Sequence, residues 1–147
     1  MAAVFSLDSS CMVAAVCAWH ERHAATAAAI EARLDRGDRL TVAAHAVVET
    51  YAVLSRLPSP HRLAPADAWA LVRANFVESA TLATLPVSAH VRLLDRLSAA
   101  GIGGGRSYDA LIAATAAHAK AGELLTLNPR HFDAASAGVA IVEPAEA

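Results

Sequence analysis

Four residues spread along the chain have types and surroundings that suit one shared chemistry: Asp8, Glu49, Asp109 and Asn128. Each borders or interrupts an apolar block. Asp8 ends Val4-Phe5-Ser6-Leu7, and Glu49 lies within Val47-Val48-Glu49-Thr50-Tyr51. Asp109 opens an alanine-rich run carrying Leu111 and Ile112, and Asn128 follows Leu124-Leu125-Thr126-Leu127. Carboxylates gathered out of water repel one another, so burying them is costly unless a cation compensates. Mg²⁺ and Mn²⁺ suit such hard oxygen donors, and Mg²⁺ takes one or two carboxylates together with waters and substrate phosphate oxygens. The reaction these residues would serve is phosphodiester hydrolysis, with a metal-activated water as nucleophile. Taken singly, each has a plainer reading. Asp8 can cap a helix, and Glu49 can be an ordinary helix residue. Asp109 can be a first-turn acid favoured by the helix dipole, and Asn128 a turn residue before Pro129.

These residues need a scaffold that brings them together. Val4–Leu7 reads as a buried strand, with Ser9 or Ser10 capping a helix that carries Met12, Val13, Val16 and Trp19. A second helix, from Ala24 to about Arg36, stops at Gly37-Asp38. Leu40–Ala43 is the second strand candidate, and the helix after it holds Glu49 in its early turns and ends before Pro58-Ser59-Pro60. Pro65 opens a helix running to about Phe76, Thr81–Leu85 reads as a third strand, and Ser88 caps a helix that ends at Gly101. Gly101-Ile102-Gly103-Gly104-Gly105 is too glycine-rich for regular structure, and Ser107 is expected to cap a helix continuing to Gly122. Glu123–Leu127 is a fourth strand, and Val139–Val142 a fifth, at the sheet edge. Strands alternating with helices imply right-handed crossovers and a parallel sheet covered on both faces. In such sheets the ligand crevice lies beyond the carboxyl ends of the strands. Asp8 and Asn128 fall there directly, Glu49 lies one to two turns past strand two, and Asp109 gets there if the glycine loop bends back to that edge.

Composition narrows the alternatives. The 147 residues fit a single domain, 1–147, and the 56% hydrophobic content, much of it alanine, with 5% aromatics predicts closely packed helices. With 12 basic and 14 acidic residues the net charge is −2, so there is no large basic field for non-specific nucleic-acid binding. Cys11 and Cys17, if on one helix, lie about 9 Å apart along its axis, too far for a disulfide, and read as reduced core residues of a cytoplasmic protein. Met1 to Trp19 is apolar but lacks the basic start of a secretory signal, and no run has the length of a membrane span. His20-Glu21-Arg22-His23 spaces its histidines three apart rather than the four of a zinc-protease helix. Gly101 to Ser107 lacks the lysine of a nucleotide-binding loop, and Gly105 to Asp109 lacks the last glycine of a nucleophile elbow.

Four blocks carry a resemblance: Val4-Phe5-Ser6-Leu7-Asp8-Ser9-Ser10, Val47-Val48-Glu49-Thr50-Tyr51-Ala52-Val53-Leu54, Ser107-Tyr108-Asp109-Ala110-Leu111-Ile112-Ala113-Ala114-Thr115-Ala116 and Leu124-Leu125-Thr126-Leu127-Asn128-Pro129-Arg130-His131-Phe132. In order and spacing they resemble the motif blocks of PIN-domain proteins, most of all the VapC-type toxins of bacterial toxin–antitoxin pairs. The resemblance implies a three-layer α/β/α, Rossmann-like domain with a central, mostly parallel sheet of four to five strands. It also implies an Mg²⁺-dependent endoribonuclease, with Mn²⁺ as substitute, that forms a homodimer and is inhibited by a co-encoded antitoxin, in complexes that can be larger still. It matches the family's acids to Asp8, Glu49 and Asp109. The usual fourth acid falls at the amide Asn128, which leaves a second metal position one charge short; Asp133, beyond Phe132, is not substituted for it. Ser9, Arg106, Ser107, Arg130 and His131 are the expected substrate contacts. Two rival readings are a non-catalytic PIN-like module that binds RNA or protein, for which loss of the carboxylates would be the mark, and a PIN-type nuclease acting on structured DNA, which the lack of a large basic surface disfavours.

Overall fold

The computed structural model describes residues 2–132 and 138–145. Asp133 lies outside them. Strand β1 (Val4–Leu7) buries Phe5, Ser6 and Leu7 in succession. Successive strand side chains point to opposite faces, so β1 is covered on both. Helix α1 (Ser9–Val16) starts where the Asp8 side chain accepts the Cys11 N–H, so Asp8 is the cap and not Ser9 or Ser10. The helix ends at Cys17, which leaves Trp19 outside it and half exposed. Helix α2 (His23–Asp35) leads through Gly37, at φ +92°, into β2 (Arg39–Ala43), whose last four residues are buried. Helix α3 (Ala44–Leu54) follows without a break. Helix α4 (Pro65–Val72) has proline in its first turn and continues as a π turn over Arg73–Val77.

Strand β3 is only Thr81–Ala83, shorter than the expected Thr81–Leu85, because Leu85 turns away to pack with Leu93 and Leu97 in a separate cluster. Helix α5 (Val87–Ala99) begins after Pro86, and helix α6 (Arg106–His118) begins after Gly105. Ser88 and Ser107 therefore lie inside their helices rather than capping them. A left-handed Lys120, at φ 63°, takes the chain out of α6 before Gly122. Strands β4 (Glu123–Leu125) and β5 (Ala140–Val142) complete the sheet.

Every pairing in the sheet is parallel, and the order is β3-β2-β1-β4-β5. The register sets Phe5 beside Leu40 on one side of β1 and Leu7 beside Leu125 on the other. The chain adds β2 and β3 to one side of β1 and β4 and β5 to the other, so the order reverses between β1 and β4. That reversal opens a crevice at the carboxyl ends of these two strands. Phe5, Leu7, Met12, Val42, Leu54, Ile112, Leu124 and Leu125 fill the main core, each worth about 1.5–3 kcal/mol of burial. Among the described residues no helix is long and apolar enough to cross a membrane.

Candidate active site

Asp8 lies in that crevice, 4% exposed. Its Oδ1 accepts the Ser10 hydroxyl at 2.6 Å and the Cys11 N–H at 3.0 Å, and its Oδ2 accepts the Thr126 hydroxyl at 2.5 Å. The two hydroxyls are each used twice. Ser10 Oγ accepts the Leu127 N–H at 3.0 Å, and Thr126 Oγ1 accepts the Asn128 N–H at 2.9 Å. A hydroxyl has one proton to give, and in both cases it goes to Asp8. The ends of β1 and β4 are thus tied through one carboxylate. These bonds also explain why β4 stops at Leu125: the Leu127 and Asn128 amides turn to side chains instead of a neighbouring strand. Burial pushes the Asp8 carboxyl above its ordinary range, while the bonds from Ser10, Thr126 and Cys11 pull it back and the Asp109 charge raises it further.

Glu49 reaches the same crevice from α3. Burial raises its carboxyl, the neighbouring His45 and a hydrogen bond from Ser9 lower it, and the charges of Asp109 and Asp8 raise it. Glu49 Oε1 and His45 Nε2 lie 3.5 Å apart, both buried and without a hydrogen-bond partner among the described residues. Asp109 stands in the first turn of α6, half-buried. Burial raises it, and His131, with Nδ1 3.7 Å from Asp109 Oδ2, and Arg106 lower it. Asp8 thus feels Asp109, and Glu49 feels both, so the three acids share one electrostatic neighbourhood. Asp8 and Asp109 each sit at a helix N-terminus, where the backbone dipole favours negative charge.

The remaining expected residues are distributed unevenly. Ser9 neighbours Glu49, and Arg106 and His131 border Asp109. Ser107 is half-buried, and Arg130 is exposed on the 3-10 turn Pro129–His131. Asn128 is exposed, and among the described residues only its backbone is hydrogen-bonded, through its N–H to Thr126 and its carbonyl from His131. Sequence reasoning missed Thr126 as a partner of Asp8, and it missed His45 and Tyr108. His45 was within reach, since it precedes Glu49 by one helical turn and so shares its face. Its ring stacks on Tyr108 at 5.2 Å and 10°.

Whether these residues fit a divalent cation is a question of donors. Among the described residues no group of three or more His, Cys, Asp and Glu stands close enough together to hold a metal ion. Mg²⁺ does not need such a group, because it keeps most of its waters and takes few protein oxygens. The buried, unpartnered Glu49 Oε1 beside two further carboxylates is the donor chemistry that such an ion completes.

An α/β fold with a parallel sheet and acids at its switch point defines a class, and the comparisons identify it. The family model of the PIN domain matches residues 6–137. Ribonuclease VapC40 of Mycobacterium tuberculosis is 44% identical over 123 residues, 84% of this chain and 85% of that protein. Ribonuclease VapC27 of the same organism is 35% identical over 128 residues, 87% of each chain. In fold, the chain is similar to a crystal structure of DNA-bound VapBC from Salmonella typhimurium, with a TM-score of 0.69 at 19% identity over 99% of this chain and 100% of that one. The chain belongs to the PIN-domain family, and within it to the VapC type.

Proposed function

We propose that this protein is an Mg²⁺-dependent endoribonuclease, the toxin of a type II toxin–antitoxin pair, for which Mn²⁺ can substitute. The observation that carries the reading is the buried Asp8 carboxylate at the switch point of the sheet, fixed by the Ser10 and Thr126 hydroxyls, in the same electrostatic neighbourhood as Glu49 and Asp109. The names of its ribonuclease relatives support it. Asp8 and Asp109 would hold the ion, with Glu49 orienting the attacking water. When bound, the ion lowers the pKa of that water and neutralises charge on the phosphate. The chain's own residues do the rest. Ser10 and Thr126 fix Asp8 and keep it an acceptor. Arg106, Arg130 and His131 offer cationic or donor groups to the phosphates on either side of the scissile bond. Asn128 adds a neutral oxygen at the position where the motif resemblance implies a fourth acid.

The same acidic crevice suits an arginine of a cognate antitoxin, which would pair with the carboxylates and occupy the ion's position. The similarity in fold to VapBC supports such a partner. A homodimer, alone or within a larger toxin–antitoxin complex, is part of the reading, and its expected compartment is the cytoplasm, where the free Cys11 and Cys17 stay reduced. The test is cleavage of single-stranded RNA by the purified protein. Cleavage is expected with Mg²⁺ or Mn²⁺ and none in EDTA; undiminished cleavage in EDTA would rule out the metal mechanism.

A further inference from the structure

Tyr108 is 54% exposed, in the first turn of α6, whose buried residues begin only at Ile112. One side of its ring is covered by the His45 imidazole, nearly parallel at 10° with centroids 5.2 Å apart. His45 comes from α3 and Tyr108 from α6, so the pair bridges the two helices that supply Glu49 and Asp109. Around it the surface is open. Gly103, Gly104 and Gly105, the residues just before α6, are exposed, and a Cβ added to any of them would meet nothing within 4 Å. Arg106, also exposed, follows them directly.

An aromatic ring held flat by a second ring, exposed and next to a carboxylate site, has the form of a stacking platform. Single-stranded nucleic acid is gripped in this way, because every base offers a π face whatever its sequence. The glycines leave room for the strand to lie close to the protein backbone. The ring carries no charge, so it offsets the repulsion that the acids exert on the phosphates without adding to the protein's basic groups.

We propose that Tyr108, backed by His45, is a nucleobase platform on which an unpaired base next to the scissile phosphate stacks. This rests on the ribonuclease reading above and adds a preference for unpaired RNA, since a base within a duplex does not expose its face. The bland alternative is that the two rings only brace α3 against α6.

The test measures binding to a 5′-fluorescein-labelled oligoadenylate 12-mer by anisotropy, with Mg²⁺, in an Asp109→Asn background where no cleavage is expected. A parallel probe of the same length carries abasic sugars. Adding Tyr108→Leu is expected to weaken binding of oligoadenylate about 5- to 150-fold, the usual effect of losing one base–aromatic stack. It should leave the abasic probe unaffected. Tyr108→Phe, which keeps the ring, should stay within about twofold of the parent, and thermal unfolding checks that each variant is folded. Should Tyr108→Leu fail to fold, Tyr108→Trp supplies the answer, because a larger ring must bind the adenylate probe at least as tightly as the parent does. Equal binding by the parent and the Leu variant, an equal loss on both probes, a weaker Trp variant, or a parent that does not distinguish the two probes overturns the proposal. A gel of the probe after incubation reports separately on the nuclease reading: cleavage by Asp109→Asn counts against that reading, whereas the affinities still decide on the platform.

Discussion

Asp8 shows how two readings of a residue can both hold. As a helix cap it accepts the Cys11 N–H, and as a site residue it accepts hydrogen bonds from two hydroxyls and feels the Asp109 charge. The cap fixes the carboxylate's direction, so the structural role serves the chemical one. All three acids have carboxyls raised above their ordinary range, chiefly by burial. A carboxyl raised in the folded state holds its proton more tightly there than in the unfolded chain, so folding favours the protonated form. Stability of the metal-free protein should therefore fall as pH climbs from the ordinary carboxylate range through the raised values, and level off above them. Melting points in EDTA across that interval test this: a fall is expected, partly flattened in Asp109→Asn, and a steady rise in both proteins would contradict it. Asn128 supplies a second test at this scale. If its side chain faces the ion, Asn128→Asp should tighten Mg²⁺ binding in calorimetric titration and lower the Mg²⁺ needed for half-maximal cleavage. Equal or weaker affinity would put residue 128 away from the ion.

At the level of elements, the site depends on how β1 and β4 end. Thr126 is fully buried and links the two, donating to Asp8 and accepting from the Asn128 amide. Thr126→Val keeps the shape and removes both bonds, leaving a buried carboxylate and a backbone N–H short of partners. A loss of about 1–3 kcal/mol in urea unfolding is expected, with Thr126→Ser recovering most of it; no loss would mean that the tie is dispensable. This link also marks the limit of what could be read from the sequence. The alternation of apolar runs with turn residues located all five strands, and Asp8 follows β1 at the carboxyl edge of the sheet as expected. Strand and helix ends were read less well, because they depend on partners far away in the chain. Leu127 turns to Ser10, 117 residues distant, and Leu85 to the α5 cluster. Serine is the cap that local sequence suggests at three helices, whereas the residues at those positions are Asp8, Pro86 and Gly105. The stack of His45 on Tyr108 joins separate helices, and no local pattern announces it.

For the whole molecule, charge and surface divide the work. The net charge of −2 gives no basic field, so any grip on RNA must come from a few local groups around the crevice. Apolar surface lies elsewhere. Val87, Val91 and Leu94 form an exposed stripe along α5, and α3 and α4 enclose an open apolar hollow of about 400 Å³ between Val48 and Trp69. Exposed apolar surface of this kind is what protein partners cover, and it supports the proposed pairing with a second copy and with an antitoxin. The central claim is that three acids drawn from distant parts of the chain act as one metal-dependent site. The most direct measurement is the single-turnover rate of cleavage of a labelled single-stranded RNA at saturating Mg²⁺, compared between the wild type and an Asp109→Asn variant whose fold is checked by circular dichroism. The account predicts a loss of at least about 100-fold, the upper end of what even an outer-shell partner costs at a metal site, in a protein as well folded as the wild type. Cleavage by the folded variant at the wild-type rate would contradict it and reduce Asp109 to a first-turn acid that favours its helix.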